Sequence, residues 1–143
     1  MTPTIEATLT GADRANILDL YGRYALAIDF GDGSSWADCF TDGGKFVAHR
    51  GEGMDRVSVS GREELDAFAR KHRVSPSGLT RHHFTNISTE PAPGGATGRA
   101  AILYVEGKAV LGNGLYVDEL VRDGDTWRFA QRTVEHERLR SSV

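Results

Sequence analysis

Along the first part of the chain, apolar residues recur at the spacing of a single helix face: Ile17, Leu18, Leu20, Tyr21, Tyr24, Ala25 and Ile28. Thr10 and Asp13 have the spacing of a capping box, and Gly31 and Gly33 follow where glycine usually ends a helix in a left-handed turn. The pattern predicts a helix over 12–29. Ser34 or Ser35 is then placed to cap a short second helix over 36–40, before Gly43-Gly44 breaks the chain. Residues 45–49 read as a strand, and Val57-Ser58-Val59-Ser60 alternates with a period of two, leaving a turn over 50–55. Gly61 opens a third helix over 62–72, with Leu65, Phe68 and Ala69 on one side, and 74–78 reads as a loop. Beyond it the helical period disappears. Strands are predicted at 82–89, 98–106, 114–122 and 127–137, divided by 91–95, by 107–113 and by the hairpin signal Asp123-Gly124-Asp125. Helices and a short strand pair followed by four long antiparallel strands define an α+β arrangement.

Composition narrows the picture without redirecting it. The chain has 143 residues, 39% hydrophobic and 26% charged, which fits one domain over 1–143 with a core of its own. A formal net charge of −3 provides no field to attract a polyanion, so no nucleic-acid partner is expected. No apolar run is long enough to span a bilayer and the N-terminus lacks a signal-peptide pattern, so no membrane partner and a cytoplasmic location are expected. Cys39 is the single cysteine, which excludes an internal disulfide and any multi-thiolate metal site. The 17 glycines against 4 prolines imply many turns.

Candidate chemistry is sparse. Asp29 projects at the edge of the apolar stripe of the first helix, at the helix end where a carboxylate is disfavoured. It either serves a site or simply ends the helix into the glycine turn. His82 and His83 must point to opposite faces of a strand, with Phe84 and Asn86 on the side of His82. The adjacent pair cannot chelate one ion, and H-E-x-x-H, G-x-S-x-G, phosphate-loop and dinucleotide fingerprints are absent. No metal and no cofactor is expected, and acid/base chemistry stays open.

Several segments together resemble a SnoaL-like protein of the nuclear transport factor 2-like superfamily. They are Leu20-Tyr21, Tyr24 and Asp29; Val59-Ser60-Gly61; Arg81-His82-His83-Phe84-Thr85-Asn86; Tyr116-Val117-Asp118; and Gly124-Asp125-Thr126-Trp127-Arg128-Phe129. The resemblance runs over roughly 9–137. It implies a cone-shaped, curved antiparallel sheet wrapped around the long N-terminal helix, an α+β barrel with one deep apolar pocket. Relatives include scytalone dehydratase, bile acid 7α-dehydratase, hexachlorocyclohexane dehydrochlorinase, ketosteroid isomerase and limonene epoxide hydrolase.

In the dehydratase and dehydrochlorinase relatives, an aspartate ending the first helix pairs with a histidine of an H-x-x-T-N-like strand. Those positions correspond to Asp29 and His82, so the resemblance makes His82 the pocket-facing member of its pair. Tyr24 matches a pocket tyrosine of the bile acid dehydratase pattern, although on an ideal helix it lies about 140° from Asp29. The two tyrosines and second histidine of the scytalone dehydratase pocket have no assigned counterpart. Trp36 and Phe40 are placed at the cone mouth, and Asn86 and Tyr104 among the substrate contacts. Asp118 and Arg132 form either substrate contacts or a buried ion pair, and Arg132 shares a face with Arg128 in a regular strand.

The implied function is a cofactor-independent lyase, a dehydratase, or an isomerase. His82, Asp29 and Tyr24 would act on a small hydrophobic polyketide-, steroid- or terpenoid-like substrate, in a homodimer or homotrimer. The alternative from another class is a non-catalytic binding or assembly module, like the β subunits of ring-hydroxylating dioxygenases. Epoxide hydrolysis or aldol-type cyclisation is a further enzymatic alternative.

Overall fold

The computed structural model describes residues 8–49, 56–72 and 80–137. The expected turn at 50–55 and the expected loop at 74–78 lie outside them. Helix α1 spans Gly11–Asp29. Its capping box is formed as the sequence predicts: the Asp13 amide donates to Thr10 Oγ1 at 3.0 Å, and the Thr10 amide donates to the Asp13 carboxylate at 2.9 Å. Gly31, at φ 67°, supplies the left-handed stop. The Gly31 and Asp32 amides then close on the carbonyls of Ile28 (3.2 Å) and Ala27 (2.9 Å), so the helix ends at Asp29 with Phe30 as its cap.

Helix α2 (Gly33–Asp38) is capped by Asp32, whose carboxylate accepts from the Ser35 amide at 3.1 Å, and not by Ser34 or Ser35. Strand β1 (Phe40–His49) begins where a helix end was expected, and Gly43-Gly44 lies inside it. The register of β1 against β6 shifts between Phe40 and Lys45, and a Cβ on Gly44 would come within 2.7 Å of Phe40 Cβ. A doubled-back strand start therefore uses the glycines where a chain break was predicted. Strand β2 (Arg56–Ser60) and helix α3 (Arg62–Lys71) follow, with Leu65 and Ala69 of α3 fully buried.

Strands β3 (Thr80–Ala92), β4 (Gly95–Glu106), β5 (Ala109–Asp123) and β6 (Thr126–Glu137) form an antiparallel meander with shorter connections than the sequence suggested. The strand order is β2-β1-β6-β5-β4-β3. The β1–β6 pairing is parallel, which makes the curved sheet mixed and not purely antiparallel, and its edges do not close on each other. The apolar stripe of α1 packs into the sheet's curve, with Ile17, Leu20, Tyr21, Tyr24 and Ile28 nearly inaccessible.

Two irregularities redirect side chains. The register of β3 against β4 shifts between Thr85 and Ser88, where Asn86 takes φ 54°. In β6, Glu119 pairs with Gln131 and Leu120 with Phe129, so Ala130 is the extra residue of a bulge. Each inverts the alternation downstream of it.

Candidate functional site

The end of α1 and the start of β3 meet at Asp29 and His82. Both oxygens of the Asp29 carboxylate accept from the His82 backbone amide, at 3.2 and 3.0 Å, and Oδ1 lies 2.5 Å from His82 Nδ1. The Asp29 side chain is 1% exposed and that of His82 9%, so water competes little for this pair. A carboxylate on Nδ1 fixes the proton there and leaves Nε2 as the nitrogen available to other groups. The angular offset between Tyr24 and Asp29 is resolved by division of labour: Tyr24 lines a cavity directly, whereas Asp29 reaches it through His82.

That cavity, of about 370 Å³, lies between α1, α3 and the concave face of the sheet. Such a volume suits a small organic ligand. Among the described residues, its apolar lining comes from Ile28, Phe46, Ala48, Phe68 and Val134, and its polar lining from three histidines (His72, His82, His136) and three tyrosines (Tyr24, Tyr104, Tyr116). Tyr104 is the cross-strand partner of His82, with ring centres 4.8 Å apart. The Tyr24 and Tyr116 hydroxyls are 3.4 Å apart. Burial raises both phenols above their ordinary range, so both remain protonated donors across the physiological range.

Behind this pair is a charged core. Arg132 Cζ lies 4.2 Å from the Tyr24 ring centre and 4.0 Å from that of Tyr116, with Tyr21, Phe84 and Phe129 completing a cage. Its guanidinium donates to both Asp118 oxygens, at 2.8 and 3.1 Å, and the Tyr21 hydroxyl donates to the same carboxylate. Both ionic side chains are 0% exposed. Burial lifts the Asp118 carboxyl, opposed by the Arg132 charge, and Asp118 and the tyrosines raise Arg132 despite its own burial.

The structure therefore gathers Asp29, His82, Tyr24 and Tyr104 at one cavity and separates the other expected contacts from it. Trp36 and Phe40 do not sit at a mouth; they are 0% and 2% exposed and pack on each other in the core with ring centres 5.0 Å apart. Asn86 is exposed at the β3 bulge, because its left-handed backbone ends the alternation that placed it beside His82. Asp118 and Arg132 form the buried ion pair and not the lining of the cavity. Arg128 and Arg132 do not share a face, because Ala130 intervenes as a bulge. Among the residues given no site role from sequence, Tyr116 alternates with the inward residues Asp118 and Leu120, and His136 with Arg132 and Val134; those alternations were the available signal. His72 carried none, being the cap residue of α3.

Among the described residues, no group of three or more His, Cys, Asp or Glu side chains is arranged to hold a metal ion, and no helix is long and apolar enough to cross a membrane.

A long helix against a curved, open sheet is the fold of the nuclear transport factor 2-like proteins among the structural neighbours. Residues 10–133 match the family model of the SnoaL-like domain, and the chain belongs to that family. A solved structure of a Mycobacterium tuberculosis protein of unknown function is 32% identical, with 90% of this chain and 74% of that one covered and a TM-score of 0.74. A Nostoc punctiforme protein with a cystatin-like fold, also of unknown function, is 20% identical over 92% of this chain and 96% of its own (TM-score 0.78). A candidate scytalone dehydratase from Novosphingobium aromaticivorans is 18% identical over 88% and 85% (TM-score 0.70). No curated protein sequence matches the chain.

Proposed function

We propose that this protein is a cofactor-independent lyase that removes water from a small, hydrophobic, carbonyl-bearing substrate. The observation that carries the reading is the Asp29–His82 contact, in which a nearly inaccessible carboxylate holds Nδ1 of an imidazole that lines an apolar cavity. His82 Nε2 takes the proton α to the carbonyl, and Asp29 stabilises the imidazolium that results. The Tyr24–Tyr116 pair donates to the carbonyl oxygen as it gains enolate character. The aromatic walls, with Phe46, Phe68 and Tyr104, favour a substrate with an unsaturated or ring-bearing body, as in polyketide-derived compounds. The scytalone dehydratase assignment of a neighbour with the same fold points in the same direction.

The test is an assay of water loss from β-hydroxy ketones, with deuterium exchange at the α carbon followed in parallel. His82→Ala is expected to lower both rates by about 10²–10⁴-fold while leaving the fold intact. Equal rates for wild type and variant remove His82 from the mechanism. Ligand binding without exchange or water loss favours the binding-module reading instead.

A further inference from the structure

Gly98, Gly112 and Gly114 alternate with the inward-facing residues of β4 and β5. At Gly98 a Cβ would collide with the Tyr21 hydroxyl, and at Gly114 with the Glu135 carbonyl, so crowding excludes a side chain from both positions. Gly112 is different. Its backbone lies outside the left-handed region, and among the described residues an added Cβ would meet only Tyr104 Cβ, at an ordinary 3.9 Å. Backbone geometry and packing therefore both admit a side chain there. What its absence provides is space.

The strand register places that space in the cavity already described. His82, Tyr104 and Gly112 are paired in a row across β3, β4 and β5, and paired residues project to the same face. One row away, Gly114 pairs with His136 of β6. Tyr104 and His136, both lining the cavity, thus flank a stretch of β5 that carries no inward side chain before Tyr116. His136 is exposed, and Tyr104 and Gly112 are half-buried, so the gap lies at the open end of the cavity. Paired strands are about 4.8 Å apart, so the gap begins about 9.6 Å from the strand that carries His82. One aromatic ring attached next to a carbon reacting at His82 falls short of that span, and a second ring in line reaches it. Between β4 and β6, also two strand spacings apart, a flat ring finds roughly the 7–8 Å it needs for contact on both faces.

We propose that Gly112 is the specificity-determining position of this cavity, selecting a substrate with a second planar ring in line with the reacting carbons. The assignment rests on the lyase reading above and deepens it. The α carbon meets His82, the carbonyl meets the Tyr24–Tyr116 pair, and the far ring lies on the backbone of Gly112 and Gly114 between Tyr104 and His136. A side chain at 112 takes the place of that ring and leaves the reacting end untouched.

Two β-hydroxy ketones test this in the full-length protein, the aldols of acetone with benzaldehyde and with 4-phenylbenzaldehyde. Wild type is expected to favour the two-ring substrate in kcat/KM for water loss by about tenfold or more. Gly112→Val is expected to remove that preference while its one-ring value stays within about threefold of wild type, because only contacts to the far ring are lost. The retained one-ring rate shows that the site is folded, and Gly112→Ala repeats the comparison if the Val variant does not fold. A wild type without the preference overturns the assignment, as does a folded variant that keeps it or loses both activities equally. A chain that folds with neither side chain also overturns it, since packing would then account for the glycine. Calorimetric binding of the same two ketones without their hydroxyl groups separates the assignment from the lyase reading. Tighter binding of the two-ring ketone, abolished in Gly112→Val, in a wild type that removes water from neither aldol retains the position's role and overturns the lyase reading. Binding of neither ketone and turnover of neither aldol overturns both.

Discussion

Among the described residues, the Asp29 carboxylate accepts from one residue, through the backbone amide and Nδ1 of His82. That arrangement makes the tautomer sensitive to a single atom. In Asp29→Asn the amide oxygen would keep the backbone contact, and the NH₂ group would donate to Nδ1. The ring proton would then move to Nε2, turning the cavity-facing nitrogen from a base into a donor. Water loss from a β-hydroxy ketone is expected to fall by about 10⁴-fold, the scale of a wrong-tautomer imidazole, with little change in the denaturation midpoint. Nitrogen NMR of the imidazole checks the cause directly, since the proton should be found on Nε2. An Asn variant that retains activity within about tenfold leaves no orienting role for the carboxylate.

At the scale of elements, helices were legible because their signals are local. The α1 stripe, its capping box and its glycine stop all lie in neighbouring residues, and the structure reproduces them within a residue. Strand faces were legible only as far as the first bulge. Alternation from His82 correctly pairs it with Phe84, but the extra residue at Asn86 turns Ile87 toward the core, and Ala130 does the same for Arg132 in β6. A bulge depends on pairing with a distant strand, so no local pattern announces it. Asn86 nevertheless carries a test, because its φ of 54° tolerates Asn and Gly but not a β-branched side chain. Asn86→Val should cost about 1–2 kcal/mol of stability and Asn86→Gly should be near neutral, both read from chemical denaturation. Equal midpoints for the two variants would mean that the left-handed backbone is not kept in solution.

For the whole molecule, the Asp118–Arg132 pair ties the site to the core. Its guanidinium underlies the two tyrosines that face the cavity, so the polar wall is supported by a charge that never meets solvent. Sequence alone left this pair undecided between substrate contact and ion pair, because burial of a charge is a property of the assembled sheet. The same burial governs behaviour at high pH. All four tyrosines are shifted upward, Tyr21, Tyr24 and Tyr116 in the core and Tyr104 less buried at the cavity, with desolvation as the leading cause. In the unfolded chain these phenols ionise near 10, so below that pH both states are protonated and stability is unaffected. Above it the unfolded state releases protons that the folded state retains, and each buried phenol removes up to about 1.4 kcal/mol per pH unit until its own folded-state pKa is reached. Alkaline titration should therefore show one phenolate, from Tyr104, before the far-UV circular dichroism changes. The other three should appear together with the loss of helix signal. Four phenols ionising smoothly near pH 10 in a protein that keeps its circular dichroism would contradict a sealed aromatic cage around Arg132.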